Sequence, residues 1–125
     1  MTRITLAHGN GGRFMRELIE EVIAPALGAT APDISLDAAP FDPGSGGALV
    51  VTTDGFTVQP LDFPGGDLGS LAVHGTVNDL AVAGATPLAL TLGAVIEEGL
   101  ELATLRRLIE SFGRAATEAG VRVLA

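Results

Sequence analysis

Residues 68–84 carry one charged side chain, Asp79, in a run otherwise made of Leu, Val, Ala, Gly and neutral polar residues. On a helical wheel Asp79 falls among Leu68, Leu71, Ala72, Gly75, Val82 and Ala83, while the other side carries Val73, Val77, Leu80 and Ala81. A helix apolar on nearly every side is expected to be buried. A buried carboxylate then needs a cation, a hydrogen-bond network or a proton to compensate it. Two readings follow for Asp79: it meets a metal ion carried by a nucleotide, or it is bonded to backbone amides.

Composition narrows the chemistry. The 125 residues are enough for a single domain with a core. The net charge of −8 disfavours nucleic-acid backbones and anionic membranes as partners. All seven basic residues are Arg, so a Walker-type phosphate loop and Schiff-base chemistry, which need Lys, are closed. With no Cys there is no thiol nucleophile, disulfide or thiolate metal site in these residues. No apolar run reaches membrane-spanning length, and the first residues lack a signal-peptide core, so a cytoplasmic location is expected.

The pattern along the chain predicts β-α-(β)-β-α-β-α-β. Strands are expected at residues 3–7, 48–53, 87–96 and 121–124, with a short one at 34–38. Helices are expected at residues 13–26, 68–83 and 101–119. The first places Phe14, Leu18, Val22 and Ala26 four apart, with Pro25 in its last turn and Gly28 at its end. Asp67 can cap the second and Gly84 can close it. The third lines Leu102, Leu105, Ile109, Phe112, Ala116 and Ala119 on one face. That order predicts an α/β domain with helices covering a sheet. A strand that starts at Val121 and stops within a few residues leads us to expect a truncated chain.

Three acids sit where chemistry is often placed. Asp54 follows a buried-strand pattern, Asp37 sits at the end of the short one, and Asp79 lies in the apolar helix. Magnesium takes hard oxygen ligands and usually shares them with phosphates, so these carboxylates could meet such an ion. Asn78 could add an amide oxygen. The plainer readings are a turn residue before Gly55 for Asp54 and a loop acid for Asp37. The run His8, Gly9, Asn10, Gly11, Gly12 precedes a helix, and glycines let backbone N–H groups wrap an anion. Its plainer reading is a turn, with His8 as a loop hydrogen-bonder. His74 reads as structural.

Taken together, several segments carry a resemblance: Ala7-His8-Gly9-Asn10-Gly11-Gly12, Thr52-Thr53-Asp54-Gly55-Phe56, Pro64-Gly65-Gly66-Asp67, Gly75-Thr76-Val77-Asn78-Asp79-Leu80-Ala81 and Gly84-Ala85-Thr86-Pro87. In this order the chain resembles the HypE family of hydrogenase maturation proteins, within the ATP-using aminoimidazole ribonucleotide synthetase superfamily, over almost its whole length. The resemblance implies a PurM-like N-terminal domain, residues 1–125, with helices packed on one face of a mixed sheet. It also implies a sheet-joined, barrel-like homodimer, and ATP and magnesium as cofactors. By motif, Asp37, Asp54 and Asp79 resemble magnesium and phosphate ligands, with Asn78 beside them. Gly9, Asn10, Gly11, Gly12 and Thr53 resemble residues of the ATP phosphate loop. Leu36 and Pro40 depart from the family pattern beside Asp37.

The family reaction is an ATP-dependent dehydration of a carboxamide on a C-terminal cysteine to a thiocyanate, the source of the cyano ligand of nickel–iron hydrogenase. The resemblance implies a HypF-like carbamoyltransferase and a HypC–HypD complex as partners. It implies no catalytic residue within this chain, because the substrate cysteine is not among its residues, so the chain alone is expected to be inactive. The alternatives are a stand-alone dimerisation or assembly module, and a fragment of another superfamily member such as a thiamine-phosphate kinase or selenophosphate synthetase.

Overall fold

The structure, a computed structural model, describes residues 2–125. In chain order it contains a 3-10 turn Leu6–Gly9, α1 Arg13–Leu18, a π-turn Ile19–Ile23, α2 Ala24–Leu27 and a 3-10 turn Gly28–Thr30. There follow β1 Asp62–Phe63, β2 Gly66–Asp67, α3 Leu68–Val82, β3 Ala89–Leu90, α4 Leu102–Glu118 and β4 Arg122–Val123.

The helices stand where periodicity and caps place them. The π-turn joining α1 to α2 lies just before Pro25, and the Ala24 N–H reaches back to the Ile19 carbonyl. A proline has no N–H for a regular helical bond and crowds the preceding turn, so a widened turn relieves both conflicts. Gly28, at φ +61°, ends the helix. Asp67 caps α3: its Oδ1 accepts the Ser70 N–H at 3.0 Å, and the Asp67 N–H donates to Ser70 Oγ at 3.1 Å.

α4 is the spine of the core. Leu105, Ile109, Phe112 and Ala116 are buried, and Leu102 and Ala119 pack against them, as the helical pattern predicts. Leu18, Val22, Ala26 and Leu27 from the first helical segment meet this face, whereas Phe14 stays exposed. α3 lies along α4, and Val73 is wholly buried between them. Burying a side chain such as Phe112 or Ile109 contributes about 1.5–3 kcal/mol.

The sheet differs from expectation. β1 pairs antiparallel with β2 and β3 pairs parallel with β4, as two separate two-stranded units. Backbone bonds Leu124 N–H to the Leu90 carbonyl and Leu92 N–H to the Ala125 carbonyl, both 2.8 Å, prolong the second pair. Residues 3–7 form only a bridge from Arg3 to Glu101 before turning into the 3-10 segment. No strand forms at residues 34–38 or 48–53, and Leu49, Val50 and Val51 are exposed. A β-branched run becomes a strand only where a neighbour takes its backbone hydrogen bonds, and residues 48–53 meet none.

The domain is therefore mixed α/β, with helices packed against two short two-stranded sheets. The expectation of a barrel-like, sheet-joined dimer is corrected: among the described residues the strands form two separate two-residue pairs, with no continuous sheet and no barrel closure.

Candidate functional site

The structure places Asp79 in solvent, against the expectation of burial. α3 buries a stripe of Gly69, Val73 and Leu80, the side that meets α4. Asp79 precedes Leu80 by one residue, about 100° around the helix, and is exposed together with Asn78 and Val82. The helix is apolar all round, yet its buried residues lie only on the face toward α4. The carboxylate stays in water and needs no compensating charge, so burial provides no reason for a metal there.

The other candidates are exposed as well. Asp54 is exposed, and its Oδ1 accepts the N–H of its neighbour Gly55 at 2.8 Å. Thr53 beside it is exposed, and Asp37 lies in an exposed irregular segment. Among the described residues, no three acidic or imidazole side chains gather as a metal-holding group. Asp37, Asp54 and Asp79 thus form no closed three-carboxylate centre. Their chemistry does suit an ion that arrives on phosphates and takes one or two protein carboxylates, the usual habit of magnesium.

The glycine-rich segment hangs between two anchored points. Upstream, Ile4 is buried and locked to the loop before α4, through Ile4 N–H to the Leu100 carbonyl and Gly99 N–H to the Ile4 carbonyl, both 2.8 Å. Downstream, α1 begins at Arg13, whose Nε pairs with Glu17 at 3.0 Å. Between them Gly9, Asn10, Gly11 and Gly12 are exposed, and Gly11 has φ +71°, a conformation that favours glycine. Added Cβ atoms at Gly9, Gly11 or Gly12 would meet nothing within 4 Å, so the segment borders open space.

His8 is the buried member of this run, at 6% exposure. The Thr5 N–H donates to its Nδ1 at 3.0 Å, and its ring tilts against Phe14 with centroids 5.9 Å apart. The sequence reading of His8 as a hydrogen-bonder fits this arrangement.

Sequence reasoning missed an acid–arginine cluster. Arg107 on α4 bonds both carboxylate oxygens of Asp62 and approaches Asp67 at 3.8 Å, fastening the β1–β2 hairpin to α4. The signal was present as two acids flanking the turn at Pro64, Gly65 and Gly66, but nothing in the sequence pairs them with Arg107, 45 positions beyond Asp62.

A cavity of about 500 Å³ opens between the first helical segment and the β3–β4 pair, lined by Met15, Ile19, Ile23, Leu92 and Ile96 among others. Its charged rim is acidic, Asp33 and Glu98, which suits no phosphate. The cavity touches the candidate site only at His8 and Gly9.

Residues 35–125 match the family "AIR synthase related protein, N-terminal domain". The chain is 49% identical to carbamoyl dehydratase HypE of Rhodobacter capsulatus over 98% of its length, covering 36% of that protein. It is 50% identical to the Azotobacter vinelandii protein of the same name, covering 97% of this chain and 35% of that one. A crystal structure of hydrogenase maturation protein HypE in complex with ATP superposes with a TM-score of 0.87 at 43% identity, over 96% of this chain and 35% of that chain. Escherichia coli HypE superposes at 0.79 with 36% identity, over 88% of this chain and 36% of that one. The chain thus spans about a third of the length of these relatives. No helix among the described residues is long and apolar enough to cross a membrane. The chain belongs to the AIR synthase-related family and matches the N-terminal domain of its HypE members.

Proposed function

We propose that this chain is the ATP-binding domain of a HypE-like hydrogenase maturation factor. The observation that carries the reading is the superposition, at TM-score 0.87 over 96% of the chain, on a HypE protein solved with ATP. Gly9, Asn10, Gly11, Gly12, Thr53 and Asn78 are the proposed nucleotide-facing residues. Magnesium accompanying the nucleotide would supply charge neutralisation at the phosphates, and one or two of Asp37, Asp54 and Asp79 would meet it. Their support is motif likeness together with exposure and carboxylate chemistry.

In the whole enzyme the reaction balances as follows. The oxygen of a cysteine-borne carboxamide bonds to the γ-phosphorus of ATP as the bond to ADP breaks. The carbon–oxygen bond then breaks with release of phosphate, and loss of the two amide protons leaves a thiocyanate. This chain contributes binding and orientation of ATP. The thiol comes from outside these 125 residues, which contain no Cys. A HypF-like carbamoyltransferase would load the carboxamide, and a HypC–HypD complex would receive the cyano group.

Calorimetry with Mg-ATP tests the proposal. The expected result is weak binding to this chain that is lost in Asp79→Asn and reduced in Asp54→Asn. Heats equal to dilution at millimolar nucleotide, or equal affinity in both variants and the parent, would overturn it.

A further inference from the structure

We propose that Asn10 is a self-modifying site: the backbone nitrogen of Gly11 displaces its side-chain amide, and hydrolysis of the resulting cyclic imide leaves a carboxylate in the glycine-rich segment. The chemistry needs only water. Its consequence for ligand binding rests on the reading of Gly9, Asn10, Gly11 and Gly12 as nucleotide-facing.

Asn10 and Asn78 are the two asparagines of the chain, and the fold treats them differently. Ring closure brings the nitrogen of the following residue onto the side-chain carbon Cγ, so the peptide unit between the two residues must be able to turn. Asn78 lies inside α3, where regular helical bonds hold the backbone, and the residue after it is Asp79, whose side chain crowds the attacking nitrogen. Asn10 is exposed, at the end of the 3-10 turn, with φ −83° and ψ 2°. Its own N–H donates to the Ala7 carbonyl at 3.4 Å, a bond that does not involve the peptide unit that turns. Among the described residues the Gly11 N–H donates to no acceptor. Gly11, at φ +71°, and Gly12 can take up the rotation before the Gly12 carbonyl accepts the Arg16 N–H at 3.2 Å and anchors α1. Nothing lies within 4 Å of where a Cβ at Gly9, Gly11 or Gly12 would project, so no neighbour blocks the ring.

The step balances without an oxidant or a reductant. The bond from the Gly11 nitrogen to Asn10 Cγ forms, the Cγ–Nδ2 bond breaks, and the Gly11 amide proton leaves with the side-chain nitrogen as ammonia. Water then opens the imide on either side, its hydroxyl staying on carbon and its proton returning to the Gly11 nitrogen. Cleavage of the new bond at Cγ restores the original backbone with an aspartate at position 10. Cleavage at the main-chain carbonyl instead routes the backbone through Cγ as an isoaspartate, which lengthens the path between the 3-10 turn and α1. Either product carries a negative charge at neutral pH where the amide had none. That charge repels the phosphates of a nucleotide held by this segment.

The test is a timed incubation of the folded chain in warm, mildly alkaline buffer without nucleotide, followed by cleavage after arginine and mass spectrometry. The peptide of residues 4–13 contains Asn10 and no other amide side chain. It should gain the mass difference between an amide and an acid and separate into aspartate and isoaspartate forms, at a rate within several-fold of the free synthetic peptide. The peptide of residues 17–106, which holds Asn78, should gain no mass over the same interval. Asn10→Gln, whose side chain needs a larger ring, should also stay unchanged. No mass gain at residues 4–13, a gain orders of magnitude slower in the folded chain than in the free peptide, or an equal gain in Asn10→Gln would overturn the proposal. Calorimetry then compares Mg-ATP binding by fresh chain, aged chain and Asn10→Asp, with several-fold weaker binding expected in the last two. Equal affinity in all three would overturn the charge effect. A chain that gains the mass yet binds no Mg-ATP even when fresh overturns the functional reading alone.

Discussion

Gly69 of α3 and Leu108 of α4 are in backbone contact: a Cβ on Gly69 would lie 2.1 Å from the Leu108 carbonyl oxygen and 2.9 Å from the Phe112 nitrogen. The obstruction is backbone, which yields little. Alanine would improve helix propensity by about 1 kcal/mol, but forced separation of packed helices costs about 1–3 kcal/mol and sometimes more. Gly69→Ala should therefore lower the urea midpoint, with a net destabilisation of up to about 2 kcal/mol.

Gly75 offers a contrast on the same helix. A Cβ there would lie 2.4 Å from Phe56 Cε1, a side-chain atom. The Phe56 ring can shift, so Gly75→Ala should be milder than Gly69→Ala. Combining it with Phe56→Leu should recover part of the loss, a coupling of about 0.5–3 kcal/mol in a double-mutant cycle. Additive losses would show that Phe56 does not occupy this place in solution.

Asp67 links the hairpin to α3 through its cap. Asp67→Ala should cost about 0.5–2 kcal/mol, and Asp67→Ser, which can still accept the Ser70 N–H, should cost less. Arg107→Ala should cost no more than about 1 kcal/mol, because Arg107 and Asp62 are both solvent-exposed, and added salt should shrink the difference.

Asp33 carries a pH dependence of known sign. The Ser35 hydroxyl, and then the Ser35 N–H, donate to its Oδ1 and hold its carboxyl below the usual carboxylate value. A depressed native value contributes stability that is present above the unfolded carboxylate range, about pH 4, and lost as pH falls through the lower native value. The stability gap between the parent chain and Asp33→Ala should be constant at neutral pH and narrow below about pH 4.

Local chemistry was the legible part of this chain. The face of α4 from Leu105 to Ala116, the Asp67 cap and the Gly28 terminus depend on residues three or four apart, and each stands as the pattern predicts. Readings that depend on a distant partner failed. Residues 48–53 have strand composition, but composition names no neighbour to hydrogen-bond with them. Asp79 was misplaced for a related reason: an apolar circumference shows that a helix can be buried, not which faces find cover. Only one stripe of α3 meets α4, and Asp79 lies off it. Arg107 was hidden because its acids are remote in sequence. The candidate nucleotide residues rest on motif likeness rather than on burial or charge.

Mapping amide shifts of the labelled chain during titration with Mg-ATP tests the central claim most directly. The account predicts saturable changes concentrated at residues 9–12, 53–54 and 78–79, with the apolar cavity around Ile19 and Leu92 unaffected. Changes confined to that cavity, or none at saturating nucleotide, would contradict it.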